Sequence, residues 1–283
     1  MYPVLFRFPE SWPLIGGVAL NSFGIMLAVA FLVGTWAVQK HLERSGLEGE
    51  KAWDVGFISL VGGLIGAKLY WVFTHPDRLA ADPMGTIFSG TGLTWYGGFG
   101  LGLVAFWWAV RRAELPMGVA LDALGFGLPL SIALGRVGCF LAGDDYGRPT
   151  GSPLGVAFPE GHPPTTVAVL QERFGITVDP ELVERFGNVI PVHPTQLYEV
   201  ALSLLVFGLV VVSAKARRRA GWIFGFWLAL YGVQRFVIEA LRINPRVFLG
   251  LTVAQLISVA LVAAGVFYML RLRNGGPASQ AKA

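Results

Sequence analysis

TQLYEVALSLLVFGLVVVS, residues 195–213, contains a single charged side chain, Glu199, and is followed by the basic cluster Lys215–Arg219. A helix of about 20 apolar residues crosses the roughly 30 Å of hydrocarbon in a bilayer. Because a helix satisfies its own backbone hydrogen bonds in lipid, we expect this stretch to be a transmembrane helix.

Runs of similar length and composition recur along the chain. We therefore predict an all-α polytopic membrane protein with seven transmembrane helices, one fewer or one more being the alternatives, in a single transmembrane domain over residues 1–283. The composition agrees, since 54% of the residues are hydrophobic and 14% are charged, whereas soluble domains carry about 25% charged residues. The seven predicted spans are Val18–Val38, Val55–Phe73, Leu93–Val110, Val119–Leu141, Thr195–Ser213, Trp222–Leu241 and Thr252–Leu270.

Lysine and arginine are distributed unevenly between the two sets of loops. They are denser on the side that carries Lys215–Arg219, and an excess of these residues marks cytoplasmic loops. We therefore expect the N-terminus outside and the C-terminus in the cytoplasm. The net charge of +4 reflects this topology, so no nucleic-acid partner is expected. Residues 274–283 are small and polar, which is typical of a disordered cytoplasmic tail.

The longest segment between spans is residues 143–192, which separates the fourth and fifth predicted helices. It is rich in proline and glycine and contains turn signals such as Arg148-Pro149 and His162-Pro163-Pro164. Valine, phenylalanine and isoleucine between the turns indicate local packing. We predict a small extracytoplasmic cap of short strands and turns, the alternative being a linker.

Cys139 is the only cysteine. A lone cysteine forms no intrachain disulfide and gives no metal-ligand spacing. We therefore expect no metal site.

Ionisable side chains inside predicted spans are costly in lipid and are usually functional. Arg136 lies among glycines in Gly135-Arg136-Val137-Gly138, and the run Gly143-Asp144-Asp145 follows. Glycines let a ligand or a helix approach the backbone, and an arginine beside them can hold a phosphate by paired hydrogen bonds. The alternative is an arginine whose side chain reaches back to the membrane surface.

The sixth span carries a second charged group. Arg235 and Glu239 are spaced i, i+4 and Arg242 follows at i+7, so we expect all three on one helix face. A buried pair could simply join helices. Two arginines that converge from different helices at the same depth would instead bind a lipid phosphate.

Two further blocks are rich in polar or aromatic residues. His193-Pro194-Thr195-Gln196-Leu197-Tyr198-Glu199 begins the fifth span, and Trp95-Tyr96-Gly97-Gly98 lies near the start of the third. A helix-start cap with an interfacial tyrosine is the ordinary interpretation of the first block. Aromatic belt residues and close helix packing are the ordinary interpretation of the second.

These four blocks follow one another along the chain at residues 93–98, 135–144, 193–199 and 235–242, and in that order they resemble the bacterial prolipoprotein diacylglyceryl transferases. The block at residues 193–199 is the most specific of them, and the resemblance extends from about Phe8 to Leu270. It implies a bacterial inner-membrane enzyme with a periplasmic N-terminus and a cytoplasmic C-terminus, and a periplasmic cap at residues 143–192. Its partners would be phosphatidylglycerol, preprolipoprotein signal peptides and membrane lipids.

The reaction that the resemblance implies is transfer of the diacylglyceryl group of phosphatidylglycerol to the lipobox cysteine thiol, with release of glycerol phosphate and without a cofactor. Arg136 and Arg235 match the family's two essential arginines, Glu239 would orient Arg235, and Glu199 would support the pocket. With Tyr96, these arginines and Glu239 form the expected catalytic set. The expected substrate-binding set comprises Arg136, Arg235, Gly97, Gly98, Gly138, Asp144, His193, Gln196, Tyr198, Glu199 and Arg242.

The chain departs from the family pattern at several positions. Many members carry a histidine where this chain has Tyr96, an asparagine where it has Cys139, and a glutamate where it has Asp144. A phenol with a pKa of about 10 is a poor base at neutral pH, so the proton acceptor stays open. The alternatives are a related transferase with another acceptor and a non-catalytic lipid-binding or transport protein, although a transporter would favour inverted repeats that this sequence does not show.

Overall fold

A computed structural model of the chain describes residues 3–12, 17, 19–88, 92–216 and 218–274. The predicted tail lies outside these residues from position 275 onward. Two small antiparallel sheets pair β1 (Val4–Arg7) with β2 (Ala19–Asn21) and β3 (Arg246–Phe248) with β4 (Leu251–Thr252). The helices are α1 (Ser22–Arg44), α2 (Lys51–Thr74), α3 (Pro76–Ala81), α4 (Pro83–Phe88), α5 (Trp95–Arg112), α6 (Met117–Ala142), α7 (Val167–Phe174), α8 (Pro180–Phe186), α9 (Thr195–Ser213), α10 (Trp222–Glu239) and α11 (Val253–Asn274).

Five helices in the described part of the chain are long and apolar enough to cross a membrane, namely α1, α2, α6, α9 and α11. Between 17% and 44% of their most apolar windows is buried. Four of the five, α1, α2, α9 and α11, carry exposed apolar side chains such as Leu27, Phe57, Leu205 and Phe267, which are free to face lipid. The protein is therefore mostly helical, with the architecture of a multi-pass membrane protein. The helices α5 and α10 have 18 residues each and occupy the third and sixth predicted spans, but they are not among the five.

The chain divides into two compact units, residues 35–123 and a larger unit formed by residues 1–34 and 124–283. In the 35–123 unit, α2 packs against α5. A Cβ atom on Gly66 would collide with the carbonyl oxygen of Gly97, and one on Gly97 would collide with that of Gly66. The two backbones are thus in direct contact, which is how helices associate where lipid offers little hydrophobic driving force.

In the larger unit, α10 packs against both α9 and α11. Glycines again permit the approach, since a Cβ on Gly232 would lie 2.8 Å from the carbonyl oxygen of Ser258 on α11. Side chains from α6, α9 and α10 share one core cluster, which holds these three helices together. The buried members of that cluster are Phe126, Val206, Val210, Ile223 and Trp227.

The segment at residues 143–192 differs from the expected strands and turns. Among its residues are two short helices, α7 and α8, and several isolated β-bridges. The Thr166 hydroxyl caps α7 by accepting from the Val169 amide, the Asp179 carboxylate caps α8 by accepting from the Glu181 amide, and Pro180 fits the first turn of α8. The prediction from sequence lacks these two short helices, because proline and glycine turn signals outweigh the capping residues Thr166 and Asp179. The segment has its own fully buried side chains, Phe158, Leu170, Ile190 and Val192.

Gly97 and Gly100 offer a matched test of the helix contact in the 35–123 unit. Gly97→Ala should lower the stability by about 1–3 kcal/mol, because its methyl group forces α2 and α5 apart. Gly100→Ala should not lower it, since no atom lies within 4 Å of the added carbon and alanine favours helix over glycine by about 1 kcal/mol. Thermal unfolding of both variants in the same detergent checks this. Equal midpoints would contradict the contact.

Candidate functional site

Three arginine side chains converge on Glu199, which lies in the first turns of α9. Arg136 comes from α6, and its Nε contacts Glu199 Oε2. Arg235 comes from α10, with Nη1 lying 3.5 Å from Glu199 Oε1. Arg242 lies beyond the end of α10, and its Nη1 is 3.7 Å from the same oxygen. The Glu199 side chain is only 4% exposed, so one buried carboxylate links three guanidinium groups.

Glu239, the last residue of α10, is a second buried acceptor, with a side chain that is 0% exposed. Its Oε2 lies 2.7 Å from Arg235 Nη2 and 3.8 Å from Arg242 Nε. Its Oε1 accepts hydrogen bonds from Asn244 Nδ2 at 2.6 Å and from Thr252 Oγ1 at 2.9 Å. A buried ionised carboxylate requires this number of partners, because desolvation otherwise outweighs the attraction of a single ion pair.

Asp145 completes the set from the loop that follows α6. Its Oδ2 lies 2.7 Å from Arg136 Nη1, and its Oδ1 lies 2.5 Å from Arg242 Nη2. Partial burial opposes ionisation of this carboxyl, but Arg242 and Arg136 together outweigh it, so the pKa of Asp145 lies below its usual range. Unlike the two glutamates, Asp145 is accessible, with a side chain that is 44% exposed.

These six side chains form what we call the arginine–carboxylate cluster: Arg136, Arg235, Arg242, Glu199, Glu239 and Asp145. With every group ionised the cluster is electrically neutral. Within the described part of the chain, Arg242 Nε and Nη1 are buried and make no hydrogen bond, although carboxylate oxygens lie within 4 Å. Donors are thus concentrated at one point, and guanidinium forks suit phosphate oxygens.

The local sequence explains why the loop after α6, which carries Asp145, reaches the arginines. Gly143 has φ +70° and ends α6, and the amide of Asp144 donates back to the Cys139 carbonyl at 3.1 Å. The backbone at Gly147 packs closely against neighbouring residues, since a Cβ there would lie 2.6 Å from the carbonyl oxygen of Leu241. Its amide donates to the His193 carbonyl at 2.8 Å.

The start of α9 fastens the same loop. Thr195 Oγ1 donates to the Asp145 carbonyl oxygen at 2.9 Å, and Gln196 Nε2 donates to that of Asp144. His193 Nδ1 lies 3.4 Å from Tyr198 Oη. The predicted block at residues 193–199 therefore positions the loop as well as supplying Glu199.

Two titratable groups flank Asp145 in sequence. Burial, together with the neighbouring Asp145 charge, raises the pKa of Asp144 above its usual range. Burial also raises the pKa of Tyr146 to about 12, and the Tyr146 hydroxyl donates to the Pro163 carbonyl at 3.0 Å. Tyr146 therefore stays neutral at physiological pH, and its hydrogen bond fastens the loop after α6 to Pro163.

Among the described residues, one group of side chains has a spacing that could hold a metal ion. A ligand atom from each of Cys139, Asp144 and Asp145 lies within 4.8 Å of the others. Asp145 is already paired with two arginines, and their positive charges oppose a cation. We assign no metal to this group.

The larger unit holds ten of the predicted site residues: Arg136, Gly138, Asp144, His193, Gln196, Tyr198, Glu199, Arg235, Glu239 and Arg242. Gly138 lies against α1, where a Cβ would be 2.9 Å from Met26 Cβ. Tyr96, Gly97 and Gly98 belong to α5 in the 35–123 unit. Tyr96 is 63% exposed.

The expectation that Arg235, Glu239 and Arg242 share one helix face is wrong for Arg242. The helix ends at Glu239, and Arg242 instead forms a β-bridge with Gly147. Pairing with the loop thus terminates the helix and still directs the arginine to the cluster. Sequence reasoning also missed Asp145 as a site residue, although it sits beside Asp144.

Comparison with known proteins identifies the family. A family model described as prolipoprotein diacylglyceryl transferase matches residues 9–271. The chain belongs to the prolipoprotein diacylglyceryl transferase family. It is therefore an enzyme, a diacylglyceryl transferase.

Several proteins named phosphatidylglycerol–prolipoprotein diacylglyceryl transferase are similar to this transferase over nearly its whole length. One from Clostridium tetani is 28% identical over 269 residues, which cover 94% of this chain and 96% of that protein. One from Vibrio cholerae is 30% identical over 279 residues, covering 93% and 92%. One from Proteus mirabilis is 26% identical over 276 residues, with the same coverage of 93% and 92%.

Glu199→Gln should destabilise the transferase. The change removes the carboxylate shared by three arginines, and breaking such a buried pair costs about 3 kcal/mol. The thermal unfolding midpoint in detergent should fall by several degrees. Glu160→Gln, a change of equal charge at an exposed position, is the control and should leave the midpoint unchanged. If both variants melt together, Glu199 does not hold the cluster.

Proposed function

We propose that this chain transfers the diacylglyceryl group of phosphatidylglycerol to the lipobox cysteine thiol of preprolipoproteins and releases glycerol phosphate. The observation that carries the proposal is the pairing of Arg136 and Arg235, from two different helices, with the same buried carboxylate, Glu199. Two guanidinium groups held side by side in this way suit the phosphate of a lipid. The family, and the names of the similar proteins, indicate which reaction takes place there.

In this reaction the cysteine sulfur attacks the glyceryl carbon that carries the phosphate ester. A C–S bond forms, the C–O bond to the phosphate breaks, and the thiol proton passes to an acceptor. Negative charge grows on the departing phosphate oxygen, and Arg136 and Arg235 would stabilise it. Preorganised donors are most effective when they need no rearrangement, and Glu199 and Glu239 already hold the arginines in place.

We assign the remaining predicted residues supporting roles in the same reaction. Asp144, His193, Gln196 and Tyr198 would shape the phosphate end of the site. Gln196 and His193 hydrogen-bond the loop after α6, which carries Asp144, and Tyr198 lies against His193. Gly138, Gly97 and Gly98 would support the site by letting their helices pack closely, Gly138 against α1 and the other two against α2. Cys139 is buried, which favours a packing role over a nucleophilic one.

We place the enzyme in the bacterial inner membrane, as one transmembrane domain over residues 1–283 with seven spans. The coincidence of α5 and α10 with the third and sixth apolar runs supports that number. The uneven distribution of lysine and arginine supports a periplasmic N-terminus and a cytoplasmic C-terminus. The cap at residues 143–192 would then be periplasmic, where it could meet preprolipoprotein signal peptides at the membrane lipids.

Arg136→Ala and Arg235→Ala should each lower the transfer rate by about a hundredfold or more, as expected for loss of a group that stabilises developing charge. The assay combines purified protein, phosphatidylglycerol and a lipobox peptide, and mass spectrometry follows the diacylglyceryl adduct on the cysteine. Arg185→Ala, which removes an exposed arginine from α8, is the matched control and should retain activity.

The transfer assay distinguishes three outcomes. An adduct that depends on both arginines, with glycerol phosphate released, supports it. Near wild-type turnover in either variant would show that the arginines do not bind the phosphate. Binding of phosphatidylglycerol without any adduct in the wild type would favour another acceptor or a lipid-binding role.

Tyr96→Phe tests the predicted catalytic tyrosine. Removing the hydroxyl should lower kcat by about a hundredfold if Tyr96 takes part in proton transfer. Tyr70→Phe is the matched control, because its ring lies 6.4 Å from that of Tyr96 in the same unit. Steady-state kinetics of the two variants give the comparison. A silent Tyr96→Phe variant would remove Tyr96 from the chemistry.

A further inference from the structure

Asp145 binds the arginines in the manner expected of a phosphate. Each of its two carboxylate oxygens meets a different guanidinium group, Oδ2 that of Arg136 at 2.7 Å and Oδ1 that of Arg242 at 2.5 Å. A phosphodiester held by Arg136 and Arg235 would present an anionic oxygen to the Arg136 donor that Asp145 occupies, and Arg242 lies beside the same site. The carboxylate and a lipid phosphate therefore compete for the same hydrogen bonds.

The charge balance of the arginine–carboxylate cluster leads to the same conclusion. Three arginines face three carboxylates, so a bound phosphodiester leaves one negative charge in excess at a poorly hydrated site. One carboxylate must then move into water. Glu239 and Glu199 are enclosed, with side chains 0% and 4% exposed, whereas that of Asp145 is 44% exposed. Asp145 is the member that can leave.

The surroundings of Asp145 indicate how it would leave. Its backbone is fixed, because Thr195 Oγ1 holds its carbonyl and Gln196 holds that of Asp144. Movement is thus confined to rotation of the side chain. A cavity of about 280 Å³ adjoins it, with Arg173 and His162 also on its walls, so the displaced carboxylate would meet water and other cationic or polar partners.

We propose that Asp145 is an internal competitor of the lipid phosphate: its carboxylate occupies donors of Arg136 and Arg242 and turns away when phosphatidylglycerol binds. This inference rests on the proposed function. Asp145 is a positioning residue, which acts through the two arginines. Its negative charge weakens phospholipid binding, while it keeps the guanidinium groups paired and oriented.

Asp145→Asn keeps the shape of the side chain but removes the charge. Because a partly exposed ion pair contributes up to about fivefold to an equilibrium constant, the dissociation constant for phosphatidylglycerol should fall by about that factor. The KM for phosphatidylglycerol should fall with it. A variant that merely damages the structure would bind more weakly, so tightening is a readout that damage cannot produce.

The experiment measures equilibrium binding of radiolabelled phosphatidylglycerol to purified full-length protein in a non-ionic detergent, together with the transfer assay. Glu184→Gln, at an exposed position on α8, makes the same charge change outside the cluster and is the matched control. Diacylglycerol, which lacks the phosphate, is the control ligand and should bind both variants and the wild type alike.

Tighter phosphatidylglycerol binding by Asp145→Asn alone supports the inference. Equal tightening by Glu184→Gln would assign the effect to general charge, and weaker binding by Asp145→Asn would make Asp145 only an organiser of the arginines; either result overturns the inference. If the wild type neither binds nor uses phosphatidylglycerol, the proposed function fails first. If the wild type does both and Asp145→Asn gains nothing, only the inference fails.

Discussion

A guanidinium group that leaves water needs carboxylates and neutral acceptors around it, since burial of an unpaired charge costs several kcal/mol. Among the described residues, Arg136, Arg235 and Arg242 meet this need through two enclosed carboxylates and one accessible one. Glu199 can reach all three arginines only if α6, α9 and α10 bring their ends to the same place. The shared apolar core at Phe126, Val206 and Trp227 keeps the three helices together away from the site. The termination of α6 then directs the following loop to the arginines.

Close contacts at glycines help to hold the helices together where lipid surrounds them. Apolar side chains gain little by leaving lipid for protein, so close backbone approach and interhelical hydrogen bonds must hold helices together. Gly66 and Gly97 do this between α2 and α5, and Gly232 does it between α10 and α11. Polar contacts add to the α9–α10 pair, where Gln234 Nε2 donates to Ser203 Oγ at 2.8 Å. The contacts within the larger unit also position the arginine–carboxylate cluster, since α10 packs against both α9 and α11.

Apolar runs predict helices well in such a chain because lipid leaves few other backbone structures available; the predicted fifth span coincides with α9. The convergence of Arg136 and Arg235 on one site was also foreseeable, since buried charges must find partners. What could not be read from sequence depends on tertiary contacts. Arg242 leaves the helix because it pairs with Gly147. Asp145 reaches the arginines from a left-handed backbone, φ +58°, whose direction the loop anchors determine.

A neutral cluster suits an enzyme whose product carries more charge than its substrate. The phosphodiester of phosphatidylglycerol is a monoanion, whereas the released glycerol phosphate approaches a dianion near neutral pH because its second pKa is about 6. Arginines with a fixed excess of positive charge would bind the product more strongly than the substrate and would slow its release. A carboxylate that returns to Arg136 and Arg242 restores neutrality as the product departs. These two ion pairs would then hold the arginine side chains in place between turnovers. They would also favour exchange of product for substrate.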